Sequence, residues 1–309
     1  MEKNTPNAIT ATALIQYKYF MSGTLLSLRA KSSAHGRIYA YWQESLKSVR
    51  IMLGCEHYRG LDPAKDRYPH MNATKTVPTF LIIGSGRVAR HVAHYFHLLN
   101  LKYQTWDRSE DISALAGKVS ASSHILLAIS DSALESFYQE HLAQHEDKTL
   151  VHFSGALYFK GMIAAHPLMT FGPDLYDLST YQQIHFALTG CDSLIEALPG
   201  LPNSYSNIFA FEKARYHALC VLGGNFTTLL LAKMLDGFAE MKIPQSAAKP
   251  YIERVIQNTL ANPGDAFTGP LARKDAATVE KNLQALNDDP YQAVYKAFLE
   301  TLWPEYPRK

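Results

Sequence analysis

The stretch Phe80-Leu-Ile-Ile-Gly-Ser-Gly-Arg-Val-Ala-Arg-His91 decides the fold of this chain. A short apolar run ends in Gly84 and Gly86, and a segment with helical spacing follows. A strand, a glycine turn and a helix in this order are the context in which G-x-G-x-x-A indicates dinucleotide binding. Gly84 permits the tight turn, Gly86 lets the backbone approach a pyrophosphate at the helix N-terminus, and Ala89 lets helix and strand pack closely. The residues predicted to contact the cofactor here are Gly84, Ser85, Gly86, Arg87 and Val88.

The second half of a dinucleotide fingerprint lies at the end of the next predicted strand. Asp107 follows Gly84 by 23 residues, close to the ~20 expected for the acidic residue that binds the adenosine ribose. A carboxylate favours the ribose hydroxyls of NAD, whereas Arg108 and Ser109 can hold the 2′-phosphate of NADP. The pattern favours NADP(H) and leaves NAD open. The competing interpretation is a buried strand that ends in a polar turn and binds nothing.

The composition restricts the class of protein. With 309 residues and 47% hydrophobic content, the chain is long and apolar enough for two domains. A net charge of +2 gives no argument for nucleic-acid binding. Cys55, Cys191 and Cys220 lie far apart in the sequence, which favours a reducing compartment, so we expect a cytoplasmic protein.

Two further features argue against a membrane and a metal. The most apolar stretch, residues 218–231, is interrupted by Asn225 and is too short to span a bilayer. It is therefore expected to be a buried helix. His91, His94 and His97 occupy successive turns of the first helix, without a cysteine or an H-E-x-x-H pattern. They are interpreted as a polar helix face, and no metal is predicted.

Residues 1–77 form a basic region without a recognisable motif. They hold eleven Lys and Arg against five Asp and Glu, a net charge of +6, which leaves −4 for the rest of the chain. Met71 opens a segment typical of the start of a Rossmann protein, a few residues ahead of the first strand. We expect residues 1–70 to be an upstream extension with little structure. A basic targeting segment and a small helical appendage are the alternatives.

Strand and helix patterns alternate from residue 79 to about residue 211, as in a parallel sheet with helices on both faces. Strands are predicted at 80–84, 103–107, 124–130, 149–154, 185–190 and 207–211. Helices are predicted at 87–99, 131–145 and 193–198, and beyond the last strand at 214–241, 244–261 and 275–302. The sequence therefore predicts an α/β fold. A doubly wound Rossmann-like parallel sheet (78–211) is followed by an all-helical C-terminal domain (212–309).

Five motifs occur in an order that resembles a known family. They are GSGRVA at 84–89, HFSGA at 152–156, HPLMTF at 166–171, YHAL with a downstream GGNF at 216–226, and TGPLARKD at 268–275. The order resembles Rossmann-like proteins with a C-terminal domain of unknown function (family 2520). These are distant relatives of ketopantoate reductase, pyrroline-5-carboxylate reductase, and the 6-phosphogluconate and 3-hydroxyacid dehydrogenases. The resemblance covers about residues 78–290.

The resemblance implies an architecture more firmly than an activity. The relatives are nicotinamide-dependent reductases whose all-helical C-terminal domain, like that of 6-phosphogluconate dehydrogenase, often builds a dimer. We accordingly expect a homodimer through the helical domain and a small-molecule substrate.

Polar residues follow several strands at the edge where a doubly wound sheet binds its ligands. This rule places Ser130, Asp131, Ser154, Gly155 and His166 near the nicotinamide. Ser154 and Gly155 are predicted to hold a ribose or a substrate carboxylate, with a simple strand-ending turn as the alternative. His166 resembles the histidine of a His-Pro motif in prephenate-dehydrogenase-type enzymes, where it and a serine contact the reacting ring. The twelve-residue separation from Ser154 is short by that comparison, and a structural loop histidine is the alternative.

The first helix of the second domain carries His217, Val221 and Asn225 at four-residue steps, roughly along one stripe. In the dehydrogenases that the chain resembles, this helix carries a catalytic lysine with an asparagine one turn later, which places Val221 at the lysine position. Because valine cannot exchange a proton, His217 is the predicted replacement, with a structural histidine as the alternative. Asn225 is predicted to face the cleft, since an amide in an apolar helix needs a hydrogen-bond partner.

The TGPLARKD motif predicts a turn and a helix start. Asp275 is the predicted N-cap of the helix that follows. Arg273 is predicted to clamp a substrate carboxylate or phosphate, or alternatively to pair with Asp275.

Three functions are compatible with these features. The first is an NADP(H)-dependent oxidoreductase acting on a small carbonyl, imine or hydroxyacid. The second is a nucleotide-binding sensor or scaffold without turnover, which the valine at position 221 would explain. The third is a reductase that uses a deazaflavin carrier.

Overall fold

The computed structural model of the chain describes residues 77–306, and all structural statements concern these residues. The predictions for residues 1–70 and for Met71 therefore lie outside the described part of the chain. Val77 is the last residue of the predicted N-terminal extension and lies within the described range.

The centre of the structure is one seven-stranded sheet. Its strands are Phe80–Ile83 (β1), Tyr103–Trp106 (β2), His124–Leu127 (β3), Thr149–His152 (β4), Ile163–Leu168 (β5), His185–Thr189 (β6) and Tyr205–Asn207 (β7). They lie in the order β2-β1-β3-β4-β5-β6-β7. The first four pair in parallel, and all four residues of β1 are fully buried, as in a sheet covered on both faces.

Helices lie between the strands and continue beyond them. The first group is Arg87–Leu98 (α1), Ile112–Ser120 (α2), Asp131–Phe137 (α3), Leu178–Gln182 (α4) and Leu194–Ala197 (α5). Beyond β7 lie Lys213–Cys220 (α6), Thr227–Glu240 (α7), Gln245–Ala261 (α8), Pro263–Ala266 (α9), Ala276–Ala285 (α10) and Tyr291–Leu302 (α11). A π-helical turn, Val221–Phe226, joins α6 to α7, and another, Tyr138–Leu142, extends α3. The predicted Rossmann-like α/β sheet with a helical C-terminal region is confirmed.

The sequence predicts a loop around His166, but the structure has a strand there. β5 pairs in parallel with β4 and antiparallel with β6, so the sheet is not parallel throughout. Small residues and Pro167 hide the strand pattern, because proline is rare inside central strands. The ladder to β4 ends at Ala164. Pro167 therefore lies where β5 pairs with β6 alone, and its missing N–H is tolerated.

Two further boundaries differ from the prediction. The strand predicted at 207–211 ends at Asn207 and gives way to the short 3-10 helix Ala210–Glu212. The helix predicted at 275–302 is two helices, α10 and α11. Asp288 between them adopts a positive φ of 66° and Pro290 immediately precedes α11, so the chain turns instead of continuing as a helix.

His91 does not belong to a polar helix face. Its side chain is 1% exposed, with Nδ1 2.8 Å from the Tyr181 hydroxyl and Nε2 3.1 Å from the Gly172 carbonyl. Because a carbonyl only accepts, Nε2 donates to Gly172 and the Tyr181 hydroxyl is the partner of Nδ1. His94 and His97 are less buried, so the interpretation as a polar face is wrong for the first of the three histidines.

Two apolar clusters, one on each face of the sheet, form the core. The first includes Phe96 of α1 and Tyr181 of α4. The second includes Leu115 of α2 and Leu134 of α3. Since neighbouring side chains of a strand point to opposite faces, each central strand contributes to both clusters. This packing fixes the carboxyl ends of the strands, where the polar residues lie.

The helix expected to be buried at 218–231 is exposed. Residues from Ala210 to Glu240 form one helix that is long and apolar enough to cross a membrane by length and composition, and none of its apolar window is buried. Leu222, Phe226 and Leu229 are 56%, 48% and 54% exposed. The prediction of a buried helix is therefore wrong for the single chain.

Candidate functional site

The glycine turn after β1 has the geometry that the sequence predicts. Gly84 adopts a φ of 126° and its N–H donates to the Trp106 carbonyl at 2.8 Å. A Cβ at this position would lie 2.3 Å from the carbonyl oxygen of Ala128 at the end of β3. Both the backbone conformation and the space therefore require glycine.

The turn is open where a phosphate would approach. Gly86 is the N-cap of α1, is exposed, and a Cβ added to it would meet nothing within 4 Å. Ser85 and Arg87 beside it are also exposed, and Val88 is partly buried. The first N–H groups of α1 have no partners within the helix, and its dipole favours an anion there. A pyrophosphate fits this cradle without displacing a side chain.

The loop after β2 is preorganised by Asp107. One carboxylate oxygen accepts the Ser109 N–H at 2.8 Å and the Ser109 hydroxyl at 2.6 Å. The hydrogen bond from the Ser109 side chain is the main reason that the pKa of Asp107 lies below its usual value. Arg108 between them is exposed. Both hydrogen bonds thus go to one oxygen of the carboxylate, and the guanidinium of Arg108 is an exposed positive charge beside it.

Asp131 and Ser154 meet at the carboxyl edge of the sheet. The Ser154 hydroxyl donates to a carboxylate oxygen of Asp131 at 2.8 Å and accepts the Leu157 N–H at 3.0 Å. Ser154 is 7% exposed, whereas Asp131 and the neighbouring Ser130 are exposed. The serine therefore closes the turn after β4 and orients the carboxylate that faces the crevice.

Two imidazoles lie over Gly155. A Cβ on this glycine would be 2.4 Å from Cδ2 of His217 and 3.0 Å from Nε2 of His166. The two rings are edge-to-face, with centroids 5.9 Å apart. Burial lowers the pKa of His166 to about 4, assisted by the charges of Lys213 and His217, so its ring is neutral at physiological pH. The absence of a side chain at Gly155 makes room for both rings.

Lys213, at the start of α6, is a residue that the sequence analysis misses. It is fully buried, and its ammonium donates to the Ser154 carbonyl at 3.0 Å. Burial lowers its pKa to about 8, although the charge of Asp131 opposes the change. Position 221 holds valine, but a lysine two helical turns earlier reaches the crevice. Its four-residue spacing to His217 is the signal that could have revealed it.

His152, at the end of β4, lies beneath the same cluster. It is fully buried, and Nδ1 accepts the Ser154 N–H at 3.2 Å. Its Nε2 has no hydrogen-bond partner among the described residues. Burial and the charge of Lys213 lower the pKa of His152 to about 3, so this ring is also neutral.

Two predicted site residues stand apart from this cluster. Asn225 is exposed on the long helix, and within residues 77–306 its side chain makes no hydrogen bond. Arg273 is exposed and forms no ion pair in the same range. Asp275 is confirmed as the N-cap of α10, because its carboxylate accepts the Thr278 N–H at 3.1 Å. The Thr278 hydroxyl and, to a lesser degree, Arg273 lower the pKa of Asp275.

Among residues 77–306, no group of three or more His, Cys, Asp and Glu side chains could hold a metal ion. The histidines near the crevice instead contact hydroxyl groups, backbone atoms and one another.

Comparisons with known proteins agree with this architecture. The family described as a domain of unknown function (DUF2520) matches residues 184–301, which confirms the resemblance stated from the motifs. A proposed NADP oxidoreductase from Bacteroides fragilis has a similar structure, with a TM-score of 0.61 and 20% identity, over 73% of this chain and 97% of that one. No match was found among the curated proteins.

Other solved structures are more distant. A Thermotoga maritima protein has a TM-score of 0.48 and 20% identity, covering 72% of this chain and 96% of its own. A Plasmodium falciparum pyrroline carboxylate reductase with NADP bound has a TM-score of 0.48 and 9% identity, covering 74% and 97%. At these identities the likeness concerns the fold.

Proposed function

We propose that this protein is an NADP(H)-dependent oxidoreductase that transfers hydride to or from a small carbonyl, imine or hydroxyacid substrate. The observation that carries the proposal is the open turn at Gly84–Gly86, on the same edge of the sheet as the cluster of Asp131, Ser154, His166 and His217. A cofactor bound along this edge brings its reactive ring towards the polar cluster.

The cofactor choice rests on the loop after β2. In the proposed complex, the amides of residues 85–88 bind the pyrophosphate and Arg108 binds the 2′-phosphate. The exposed guanidinium of Arg108 favours NADP, while NAD is the second choice because both hydrogen bonds from Ser109 go to one oxygen of Asp107 and leave the other for a ribose hydroxyl. The Bacteroides fragilis neighbour is also described as a proposed NADP oxidoreductase.

When bound, the nicotinamide would supply or accept the hydride. The chain must hold the substrate and supply or accept a proton. We assign the proton to His217, whose half-buried ring lies over Gly155 at the crevice. Lys213 positions this part of the site, because its ammonium ties the start of α6 to the end of β4.

The remaining assignments complete the proposed site. We assign Ser154 and Gly155 to the floor of the substrate pocket, with Ser130 towards the cofactor. Asn225 and Arg273 stay predicted substrate-contacting residues, and in the single chain both are exposed and neither contacts the cluster. The sensor alternative depends on the absence of a lysine at Val221. Because His217 supplies the same crevice with a side chain that can exchange a proton, turnover is the preferred hypothesis.

Thermal stability of the full chain tests the cofactor assignment. NADPH is expected to raise the melting temperature with concentration, as linkage requires, and NADH to raise it less. If only a deazaflavin raises the melting temperature, the cofactor is a deazaflavin and not a nicotinamide. If NADPH, NADH and the deazaflavin all leave it unchanged, the proposal is overturned. The absorbance of reduced nicotinamide, followed with 2-oxoacids, imines and aldehydes, then separates an enzyme from a sensor.

We further propose a homodimer that buries the apolar face of the long helix. Leu219, Leu222, Phe226 and Leu229 are exposed along it, and such a continuous apolar surface indicates a protein partner. A bilayer is a poor occupant, because Lys233 on the same helix forms an ion pair with Asp289 that lipid would desolvate. The protein is thus proposed to be a dimer without membrane or nucleic-acid partners. We propose the cytoplasm as its location, in keeping with the free thiols of Cys191 and Cys220.

A further inference from the structure

A tyrosine on α6 contacts the crevice histidine of β5. The Tyr216 hydroxyl lies 2.8 Å from Nδ1 of His166, and the two rings are edge-to-face with centroids 5.4 Å apart. Tyr216 precedes His217 in the chain and is half-buried. Tyr216 has no role assigned from the sequence, although its hydroxyl joins the helical region to the sheet at the proposed site.

The direction of this hydrogen bond determines where His166 carries its hydrogen. A neutral imidazole has one donor nitrogen and one acceptor nitrogen. A phenol is a stronger acid than a neutral imidazole, and an imidazole nitrogen is the stronger base, so the hydroxyl donates to Nδ1. The hydrogen of the ring then resides on Nε2.

The neighbouring atoms place Nε2 at the crevice. Nε2 is 3.0 Å from the position that a Cβ of Gly155 would occupy, on the side where the ring of His217 also lies. No hydrogen bond to Nε2 of His166 occurs within residues 77–306. The Nε2–H therefore has no protein partner in this range, and because the two rings fill the space over Gly155, a ligand would meet it at the edge of the ring and not over the glycine.

We infer that Tyr216 is a positioning residue that holds His166 in the Nε2–H tautomer, so that this N–H donates a hydrogen bond to the substrate atom that becomes negative during hydride transfer. The inference rests on the proposed function, which it deepens by assigning His166 as a neutral hydrogen-bond donor separate from the proton carrier His217. A preorganised donor aimed at developing charge is among the strongest catalytic effects.

Burial and charge keep His166 in the state that this role needs. The groups that face its ring are Tyr216, His217 and Lys213 on α6, with Gly155 beneath it. None is an anion, so nothing beside the ring stabilises an imidazolium. The pKa of about 4, which burial causes first and Lys213 second, agrees with a ring that stays neutral.

Nitrogen NMR of the histidine side chains tests the inference on the full chain. Long-range proton–nitrogen spectra distinguish the two neutral tautomers and the cation, and the spectrum of His166→Gln identifies the His166 signals. In the unaltered protein we expect the Nε2–H tautomer at neutral pH. In Tyr216→Phe we expect a mixture of tautomers. An Nδ1–H ring in the parent, or an unchanged tautomer in Tyr216→Phe, would overturn the inference.

A matched variant separates positioning from a general loss of structure. Tyr138→Phe removes a hydroxyl from a half-buried tyrosine that packs against the apolar cluster of Leu115 and Leu134, and it should leave the His166 signals unchanged. Circular dichroism reports whether Tyr216→Phe folds. If it does not, Tyr216→Leu, which fills part of the space and carries no donor, takes its place, with the same expected mixture and the same overturning result.

The result is distinguishable from a failure of the proposed function, because the spectra need neither cofactor nor substrate. If no nucleotide binds and the tautomer is nevertheless Nε2–H and dependent on Tyr216, the oxidoreductase proposal fails and the geometry stands. Once a substrate is found, His166→Leu, which carries no donor, should lower kcat by roughly 10²-fold. Tyr216→Phe should lower kcat less, with little change in KM.

Discussion

Residues 77–208 and residues 209–306 bury their apolar side chains in different ways. In the first region two clusters cover both faces of the sheet. In the second, the buried hydrophobic residues within the described range are Ala248, Val279 and Leu299, while large apolar side chains of most of its helices remain exposed. A sheet between two layers of helices closes its core within one chain. The helical region has apolar faces that a single chain does not cover.

The two regions also contribute differently to the candidate site. The sheet supplies the open glycine turn and the Asp131–Ser154 pair, all held by a closed core. The helical region supplies Lys213 and His217 from the first turns of a helix whose remainder is exposed. A site built in this way needs a rigid sheet, and it also needs the helix to be held by another surface. The expected effects of substitution follow from this difference.

The largest expected effect is on assembly. The double variant Leu222→Asp/Phe226→Asp should convert a dimer to monomers. Each buried unpaired carboxylate costs about 3 kcal/mol or more, which is roughly a hundredfold in the dissociation constant. Light scattering after size-exclusion chromatography measures this change. Ile195→Asp, at a residue that is 70% exposed on the sheet region, is the matched control and should stay dimeric. A monomeric parent protein would remove the reason for treating the two regions as different.

The next effect is on the sheet region. Gly84→Ala should destabilise the fold by about 3 kcal/mol, because it combines a positive φ with a clash against the Ala128 carbonyl. Urea unfolding gives the value. Gly86→Ala is the control, since its Cβ meets open space, and it should cost about 1 kcal/mol or less. Equal losses for the two variants would mean that the turn does not have the geometry described.

A third effect appears where the regions meet. Burial holds the pKa of Lys213 at about 8, below the 10.5 of an exposed lysine. Between these values the unfolded chain binds more protons than the folded one, so stability gains a favourable contribution as pH rises, up to about 3 kcal/mol. In Lys213→Met this contribution should disappear. Urea unfolding of both proteins at neutral and alkaline pH measures the difference. A constant difference across the range would show that the ammonium is not buried.

The smallest expected effect is on stability at acidic pH. The pKa of His166 is lowered to about 4 from 6.5, so the unfolded chain takes up a proton first as pH falls. A fully buried ring would thereby remove up to about 3 kcal/mol of stability between these values. Because the ring of His166 is partly exposed, we expect about 2 kcal/mol or less, and nothing at neutral pH. His166→Gln should reduce the loss of stability on acidification, with His97→Gln, at an exposed histidine, as the control. Identical acid profiles for the parent and His166→Gln would contradict the assigned burial.

The same difference between regions explains which features the sequence reveals. The strand, glycine turn, helix and Asp107 form a local pattern, so β1, α1 and the cradle are predictable. β5 is hidden by its small residues and Pro167. The apolarity of the long helix is visible, but a sequence does not say what covers it, and the interpretation as a buried helix fails. Lys213 is missed because its role depends on a contact with Ser154 across 59 residues.

The central claim is that a phosphate-bearing nicotinamide cofactor binds at the Gly84–Gly86 turn. Calorimetric titration of NADPH into the full chain and into Gly86→Asp tests it most directly. The substitution places a carboxylate in open space at the N-cap of α1, where it should preserve the fold and repel the pyrophosphate. NADPH should bind to the parent and not to Gly86→Asp. Equal binding to both proteins, or no binding to the parent, would contradict it.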